Sequence, residues 1–435
     1  MRARVLVSCG SIALGAVSSV VACAASEAEP PTTASPDSGG SPLAPDDGGQ
    51  SESETGPGTK ADGPECSAAG WCQTSLPNED LTLKDVWPIG DRAFAIAHSP
   101  TLGAKVLEWK GTDSTWKYID DGTQNEAFPK YVGRIWAPNE NEVYYGVDPG
   151  YIYHGTRPVP PAKDWSWTRQ RLKDNSHVGF VDPEDGNPYY IWMSSNYPTL
   201  GVWGTSADDV YAWFTNSLYR RKKVEGATLE WVLEYTADDA SPSTEHMYFL
   251  AAAGTGPDDV WFSGTRTRTP SIESCAVLVR KKGGSYQRIA DGVITGPWSD
   301  CASKDGYLLI GGAQGWLTDI HMMSPTQIVG LKGARDVVKV SVTGDEYSVS
   351  LAPVPTKLAR EALNSLWAVP GDLWLSGMGV VVRGSDDIWD GGAFQISTIS
   401  LTGAPLGRPL YQVRGTSNTN LWAIGVRNAL HKTTP

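Results

Sequence analysis

Six histidines and two aspartate pairs are the residues of this 435-residue chain best suited to acid–base or metal chemistry, and their spacing argues against both. His98, His154, His177, His246, His321 and His431 are scattered, and no two stand at metal-binding spacing. Neither H-E-x-x-H nor G-x-S-x-G occurs. Asp208-Asp209 and Asp258-Asp259 look like paired carboxylates, but they recur at one place in a repeated segment, which points to a turn and not a reaction centre. Asp182-Pro183-Glu184-Asp185-Gly186-Asn187 is rich in oxygen ligands, yet it lacks the alternating positions and terminal bidentate Glu of a calcium loop. The expectation is therefore no catalytic residue, no metal ligand and no cofactor, with calcium the one ion left open.

The cysteines do carry chemistry. The chain opens with the basic segment Met1-Arg2-Ala3-Arg4, then a small and apolar run from Val5 to Ala22. That run is too interrupted for a membrane span, which wants about 20 mostly apolar residues, and it fits a signal peptide. It ends Val20-Val21-Ala22-Cys23, which resembles the bacterial lipobox. The resemblance implies that Cys23 receives a diacylglyceryl group and becomes the new N-terminus after cleavage. Several acyl chains, at about 0.8 kcal/mol per buried methylene, make a stable anchor. Ala24 stands where an Asp would favour inner-membrane retention, so the expected address is the outer membrane or cell surface.

Cleavage after residue 22 removes Arg2 and Arg4, so Lys+Arg falls from 36 to 34 against 49 acidic residues and the mature net charge is −15. Such a chain is a poor nucleic-acid binder, since that affinity comes mainly from cations neutralising phosphates. Residues 23–65 hold no aromatic residue and are dominated by Ala, Ser, Pro, Gly, Thr and acids. They cannot bury enough apolar surface to order themselves and are expected to be a disordered linker, about 35 Å across as a coil.

From Cys66 the composition changes, and all 18 Trp stand at or after Trp71. Short β-branched and aromatic runs alternate with Gly, Pro, Asn and Asp turns, the signature of an all-β fold. One stretch, Lys357 to Leu366, has helical amphipathic spacing. Val202-Trp203-Gly204-Thr205-Ser206-Ala207-Asp208-Asp209-Val210-Tyr211 compares with Gly254-Thr255-Gly256-Pro257-Asp258-Asp259-Val260-Trp261 and with Arg414-Gly415-Thr416-Ser417-Asn418-Thr419-Asn420-Leu421-Trp422. Weaker copies surround Trp87, Trp136, Cys301 and Trp367. Aligning second-strand positions Phe94, Tyr144, Tyr211, Trp261, Leu308, Trp374 and Trp422 gives spacings of 50, 67, 50, 47, 66 and 48 residues. Four strands with turns need about 40 to 50 residues, the size of a propeller blade. The pattern resembles the tryptophan-rich propeller repeats of myxobacterial-type lipoproteins, typified by Trp-Gly-Thr-Ser-x-Asp-Asp-Val. That resemblance implies a fold and no particular activity.

Residues 66–435 are thus expected to form a β-propeller of seven four-stranded blades. The seventh unit ends one strand short, and Trp71 to Leu76 has the missing pattern, so the N-terminal strand should close the ring. An oxidising compartment permits disulfides: Cys66 with Cys72 by proximity, and by elimination Cys275 with Cys301, which the repeat alignment places in the next blade's first strand.

Two long spacings place insertions at about 172–200 and 335–360, both between a fourth strand and the next first strand. A further extension, Thr265 to Ser274, joins a second and third strand. In an up-and-down blade these connections share one face of the disc, and loops on a rigid scaffold are where binding surfaces are built. Phe180, Tyr189, Tyr190, Trp192 and Tyr197 could stack on a sugar or grip a peptide there, with Arg266 and Arg268 nearby as exposed charges for an acidic ligand. The expected function is a monomeric, membrane-anchored, non-catalytic binding or scaffold module for protein or carbohydrate. An exported glycan hydrolase or lyase and an assembly factor for outer-membrane proteins are the alternatives.

Overall fold

Each repeat begins with a strand whose alternating apolar residues pair across a two-residue turn with the next strand. In the third repeat Leu200–Ser206 runs antiparallel to Asp209–Phe214, with Trp203 opposite Tyr211. Seven four-stranded antiparallel sheets follow from this rule in a computed structural model that describes residues 66–434, apart from 112, 114, 127–128, 130, 174–197, 225–227, 238–244, 269–272 and 297–300. Cys23, the signal peptide and the linker lie outside the described residues, as do Phe180, Tyr189, Tyr190, Trp192, Tyr197 and the Asp182–Asn187 loop.

The first strands of blades one to seven are Thr82–Ile89, Val132–Asn139, Leu200–Ser206, Glu245–Gly256, Leu317–Ser324, Leu363–Val369 and Leu410–Ser417. Each packs beside the next, and the seventh packs beside the first, so the ring closes around a central channel. Closure uses the predicted strand. Trp71–Gln73 is the fourth strand of blade seven, with Trp71 opposite Lys432 and Gln73 opposite Leu430. Trp71 is fully buried against Trp374, Leu410, Val413 and Leu430. The core is likewise divided into wedges between neighbouring blades, such as Phe94, Ile96 and Val106 against Ile135, Val143 and Tyr145.

The repeated residues have structural work. In five blades the first residue of the second strand reaches a third-strand side chain that lies over the blade's aromatic. Asp209 binds Arg220 at 2.7 Å, Asp259 binds Arg280 at 2.8 Å and Asp372 binds Arg383 at 2.6 Å. Those guanidinium groups sit 5.5, 4.6 and 5.3 Å from the ring centres of Tyr211, Trp261 and Trp374. His154 and His431 occupy the same place, stacked on Tyr144 and Trp422 and held by Glu142 and Asn420. The Asp-Asp turns and these two histidines are therefore one blade-stapling device. The Trp-Gly pair has a cause as well. A Cβ on Gly204 would lie 2.8 Å from the Trp136 ring of the preceding blade, and one on Gly254 would lie 3.0 Å from Trp203. Trp136 and Trp203 are thus each received by a glycine of the next blade.

The fifth blade departs from the sequence reading. Its strands are Leu317–Ser324, Gln327–Lys332, Asp336–Thr343 and Glu346–Pro353. Leu308 belongs to no blade strand, and residues 335–360 are no insertion. The second long connection is instead residues 291–316, between Ser285–Ala290 and Leu317–Ser324. Blade five lacks both Trp-Gly and the Asp-Asp turn, so alignment slipped onto the insertion preceding it. The Lys357–Leu366 stretch is also no helix, since it forms a turn and then the first strand of blade six.

Both disulfides join the expected cysteines. Cys301 is not in a blade strand but in a two-residue strand, Cys301–Ala302, paired with Val293–Ile294 within the insertion. The bridge to Cys275 ties that insertion down onto blade four. Its proximity follows from the corrected blade boundary.

Candidate functional site

Side chains at two levels of the first strands line the channel. Six of the seven strands carry a β-bulge before the lower level, as between Leu83 and Asp85 or Leu317 and Asp319. A bulge re-aims the residues that follow it. After it, at equivalent positions, come Asp85, Arg134, Gly201, Ala251, Asp319, Ser365 and Gln412. Here polar side chains sew blade to blade. The Asp85 carboxylate accepts the amide of its own neighbour Val86 and that of Ile135 in blade two, both at 3.0 Å. The Ser365 hydroxyl accepts the Val413 amide of blade seven at 2.7 Å, and Asp319 accepts the Leu366 amide of blade six at 3.3 Å.

Arg134 crosses this level, donating to Gln412 Oε1 at 2.9 Å and to the Thr318 carbonyl at 3.2 Å. Asp85 stands 3.9 Å from Arg134 and 3.4 Å from Arg414. All four of Asp85, Arg134, Asp319 and Arg414 are buried. Buried charges persist when they are paired and hydrogen-bonded. Burial pushes the Asp319 carboxyl up, but His321 together with the Arg134 and Arg414 charges outweighs it and holds the group well below the usual carboxylate range. Burial likewise drives Arg414 down from its ordinary value, against the pull of Asp85 and Asp319.

Two residues further along, toward the turns between first and second strands, the equivalent positions are Trp87, Trp136, Trp203, Ala253, His321, Trp367 and Arg414. The Arg414 guanidinium lies 4.9 Å from the Trp87 ring centre and 5.8 Å from that of Trp367, and His321 meets Trp367 edge-on at 4.4 Å. Blade four breaks the pattern with Ala251-Ala252-Ala253-Gly254. A cavity of about 260 Å³ occupies the channel there, and all seven blades contribute to its wall. Farther along the channel, toward the connections between blades, Lys84 sits 3.9 Å over the Tyr411 ring. Burial lowers Lys84 to about 8.

Arg266 and Arg268, expected as exposed charges, are not free for a ligand. Arg266 is 4% exposed and holds Asp291 through two hydrogen bonds of 2.9 and 2.8 Å, and Glu245 through one of 3.1 Å. Arg268 binds Glu245 and the Ile294 carbonyl, each at 2.6 Å. Asp291 also takes Arg288 and Lys304, both at 3.0 Å. Residues 265–268 and 274 of the Thr265 to Ser274 extension lie in strands, and this charge network anchors the 291–316 insertion to them. Arg134 and Asp319 escaped sequence reasoning because they bear no motif, and Arg414 was read only as part of the repeat. Only the register of the first strands, correct in all seven blades, brings Arg134, Asp319 and Arg414 together.

No family model matches the chain, and no curated protein matches it. Its fold is shared with solved propellers. A structure of YCF48 bound to D1 peptide superposes with a TM-score of 0.51 at 12% identity, covering 86% of this chain and 97% of that one. YCF48 from Cyanidioschyzon merolae gives 0.50 at 13% identity, covering 84% and 99%. The chain is an all-β, seven-bladed propeller similar in fold to these proteins.

Proposed function

We propose that this protein is a non-catalytic binding module of the bacterial envelope, lipid-anchored through Cys23 at the outer membrane or cell surface, whose propeller holds a partner protein. The observation that carries the binding role is the channel cavity, to which every blade contributes and where blade four presents alanines in place of a bulky side chain. The channel carboxylates are committed to structure. Asp85 and Asp319 accept amides from the next blade and face buried arginines, so both are already engaged by the ring itself. Loss of either would loosen the ring. That favours binding over a glycan-cleaving reaction, which needs two carboxyl groups free to act on one bond. A propeller of this fold has been solved with a peptide bound, which supports a polypeptide partner. The linker of residues 23–65 would give the disc a leash and leave both faces accessible.

The test uses tagged full-length protein in its own host. The protein should incorporate labelled palmitate, and Cys23→Ala should abolish the label. A partner protein should co-purify from the envelope fraction and be lost from Ala253→Trp, which fills the cavity with the side chain the other repeats favour. An unlabelled wild type would end the anchor reading. A partner retained by a folded Ala253→Trp would end the channel reading.

A further inference from the structure

The buried side-chain atoms of the cavity wall without a hydrogen-bond partner are three N–H donors and His321 Nε2, which donates or accepts according to its tautomer. Arg414 Nε, Trp213 Nε1 and Trp367 Nε1 are buried N–H donors without an acceptor, and all three residues line the cavity. Asp319, the carboxylate on the wall, is already taken: Leu366 and Gln412 donate to one oxygen, and His321 stands 3.6 Å from the other. Donors without acceptors are costly in a buried place, at about 1–3 kcal/mol each, and a ligand that brings acceptors relieves them. The aromatic faces do not call for a cation, because the chain's own Arg414 already lies over Trp87 and Trp367. The wall itself carries Arg134 and Arg414 against Asp319, with Asp85 outside the lining 3.9 Å from Arg134 and 3.4 Å from Arg414.

Size narrows the ligand further. A volume of about 260 Å³ is roughly nine times the share of one water in the liquid. That is room for one side chain or one chain end.

We propose that the cavity takes a single carboxylate of the partner polypeptide, either an Asp or Glu side chain or a C-terminus, seated by Arg414 with indole N–H groups beside it. This rests on the binding-module reading and names the group that module grips. Arg134 is fixed by Gln412 and Thr318, so it contributes charge from below without having to move. The side chain would enter past Ala253, where the ring of bulky residues is open.

The experiment is titration of the full-length protein with four probes, followed by calorimetry and by tryptophan fluorescence. The probes are acetyl-Ala-Ala-Asp-Ala-amide, acetyl-Ala-Ala-Ala-Ala with a free C-terminus, acetyl-Ala-Ala-Ala-Ala-amide, and D-glucuronate. At least one of the two carboxylate peptides should bind about tenfold or more tightly than the uncharged amide, the size expected of a charge-assisted hydrogen bond. Which one binds tells a side chain from a chain end. Ala253→Trp should abolish that preference, and Arg414→Gln should reduce it about tenfold. The comparison of peptides on wild-type protein stands even if Arg414→Gln does not fold. Equal binding of amide and carboxylate, or binding of glucuronate without either peptide, overturns the inference. If no peptide binds while Ala253→Trp still loses the cellular partner, the carboxylate assignment falls and the binding module stands.

Discussion

Replacing Trp71 with alanine tests how the ring is held shut. The indole is fully buried, meets Trp374 edge-on at a centroid distance of 6.1 Å and donates from Nε1 to the Ser397 hydroxyl at 2.9 Å. It thereby fastens a three-residue strand, Trp71–Gln73, to both the seventh and the sixth blade. Truncating a buried Trp to Ala costs about 3–5 kcal/mol, and about 1 kcal/mol of that scale belongs to the lost hydrogen bond. Domains have about 5–15 kcal/mol in total, so the loss is a large share. Guanidinium unfolding followed by far-ultraviolet circular dichroism is the assay, because removing an indole alters fluorescence directly. Tyr118→Ala, at the exposed outer edge of blade one, serves as the control and should fall within about 0.5 kcal/mol of wild type. Limited proteolysis should also cut between residues 73 and 81 much faster in Trp71→Ala. A loss under about 1 kcal/mol with unchanged proteolysis would refute the reasoning, since the closing strand would then carry no latch.

Three further outcomes follow from the blade design. Gly204→Ala would set a Cβ 2.5 Å from the Asp209 carbonyl oxygen and 2.8 Å from Trp136, so it should cost about 1–3 kcal/mol, whereas Gly256→Ala meets open space and should be near neutral in the same unfolding assay. Burial pushes His431 down to about 4, so between about pH 6.5 and 4 the unfolded chain binds a proton that the folded chain does not; stability should fall as pH drops through that window and level off above it, and His431→Gln should remove about one proton from the measured pH slope. Cys301→Ser should leave the seven-bladed ring intact by circular dichroism but open the 291–316 insertion to protease, and an insertion as resistant as wild type would show that the Asp291 charge network suffices alone.

The blade count, the closing strand and the Cys66–Cys72 pair were legible because each rests on a local pattern, whereas Cys275–Cys301 followed only by elimination. Trp-Gly, Asp-Asp and the third-strand Arg or His are the two halves of contacts between neighbouring strands or blades, so they repeat with the fold. Blade five was misplaced for the same reason. Its Asp319 and His321 stand where a repeat-like residue would have marked the register, and its turn Ser324-Pro325-Thr326 carries no acid pair. Arg266 and Arg268 were read as exposed from their place beside a connection, but their partners Glu245 and Asp291 lie 21 and 25 residues from Arg266, and no spacing rule announces such a network. The channel site was invisible for a more basic reason. Its members come from all seven blades, separated by whole repeats, and become neighbours only through closure of the ring. The exception that makes the cavity, Ala251-Ala252-Ala253, reads in sequence as a mere weakening of the motif.

The central claim is that the protein works by holding a partner at its channel, and photocrosslinking in living cells tests it most directly. A photoreactive residue replaces Met322 at the cavity wall in one strain and Gly296 on the face of the blade connections in another. The account predicts a discrete crosslinked product with one partner protein from position 322, competed away by a carboxylate peptide that binds the purified protein, and a weaker or absent product from position 296. A strong product from position 296 with none from position 322 would contradict it and move the working surface to the opposite face of the disc.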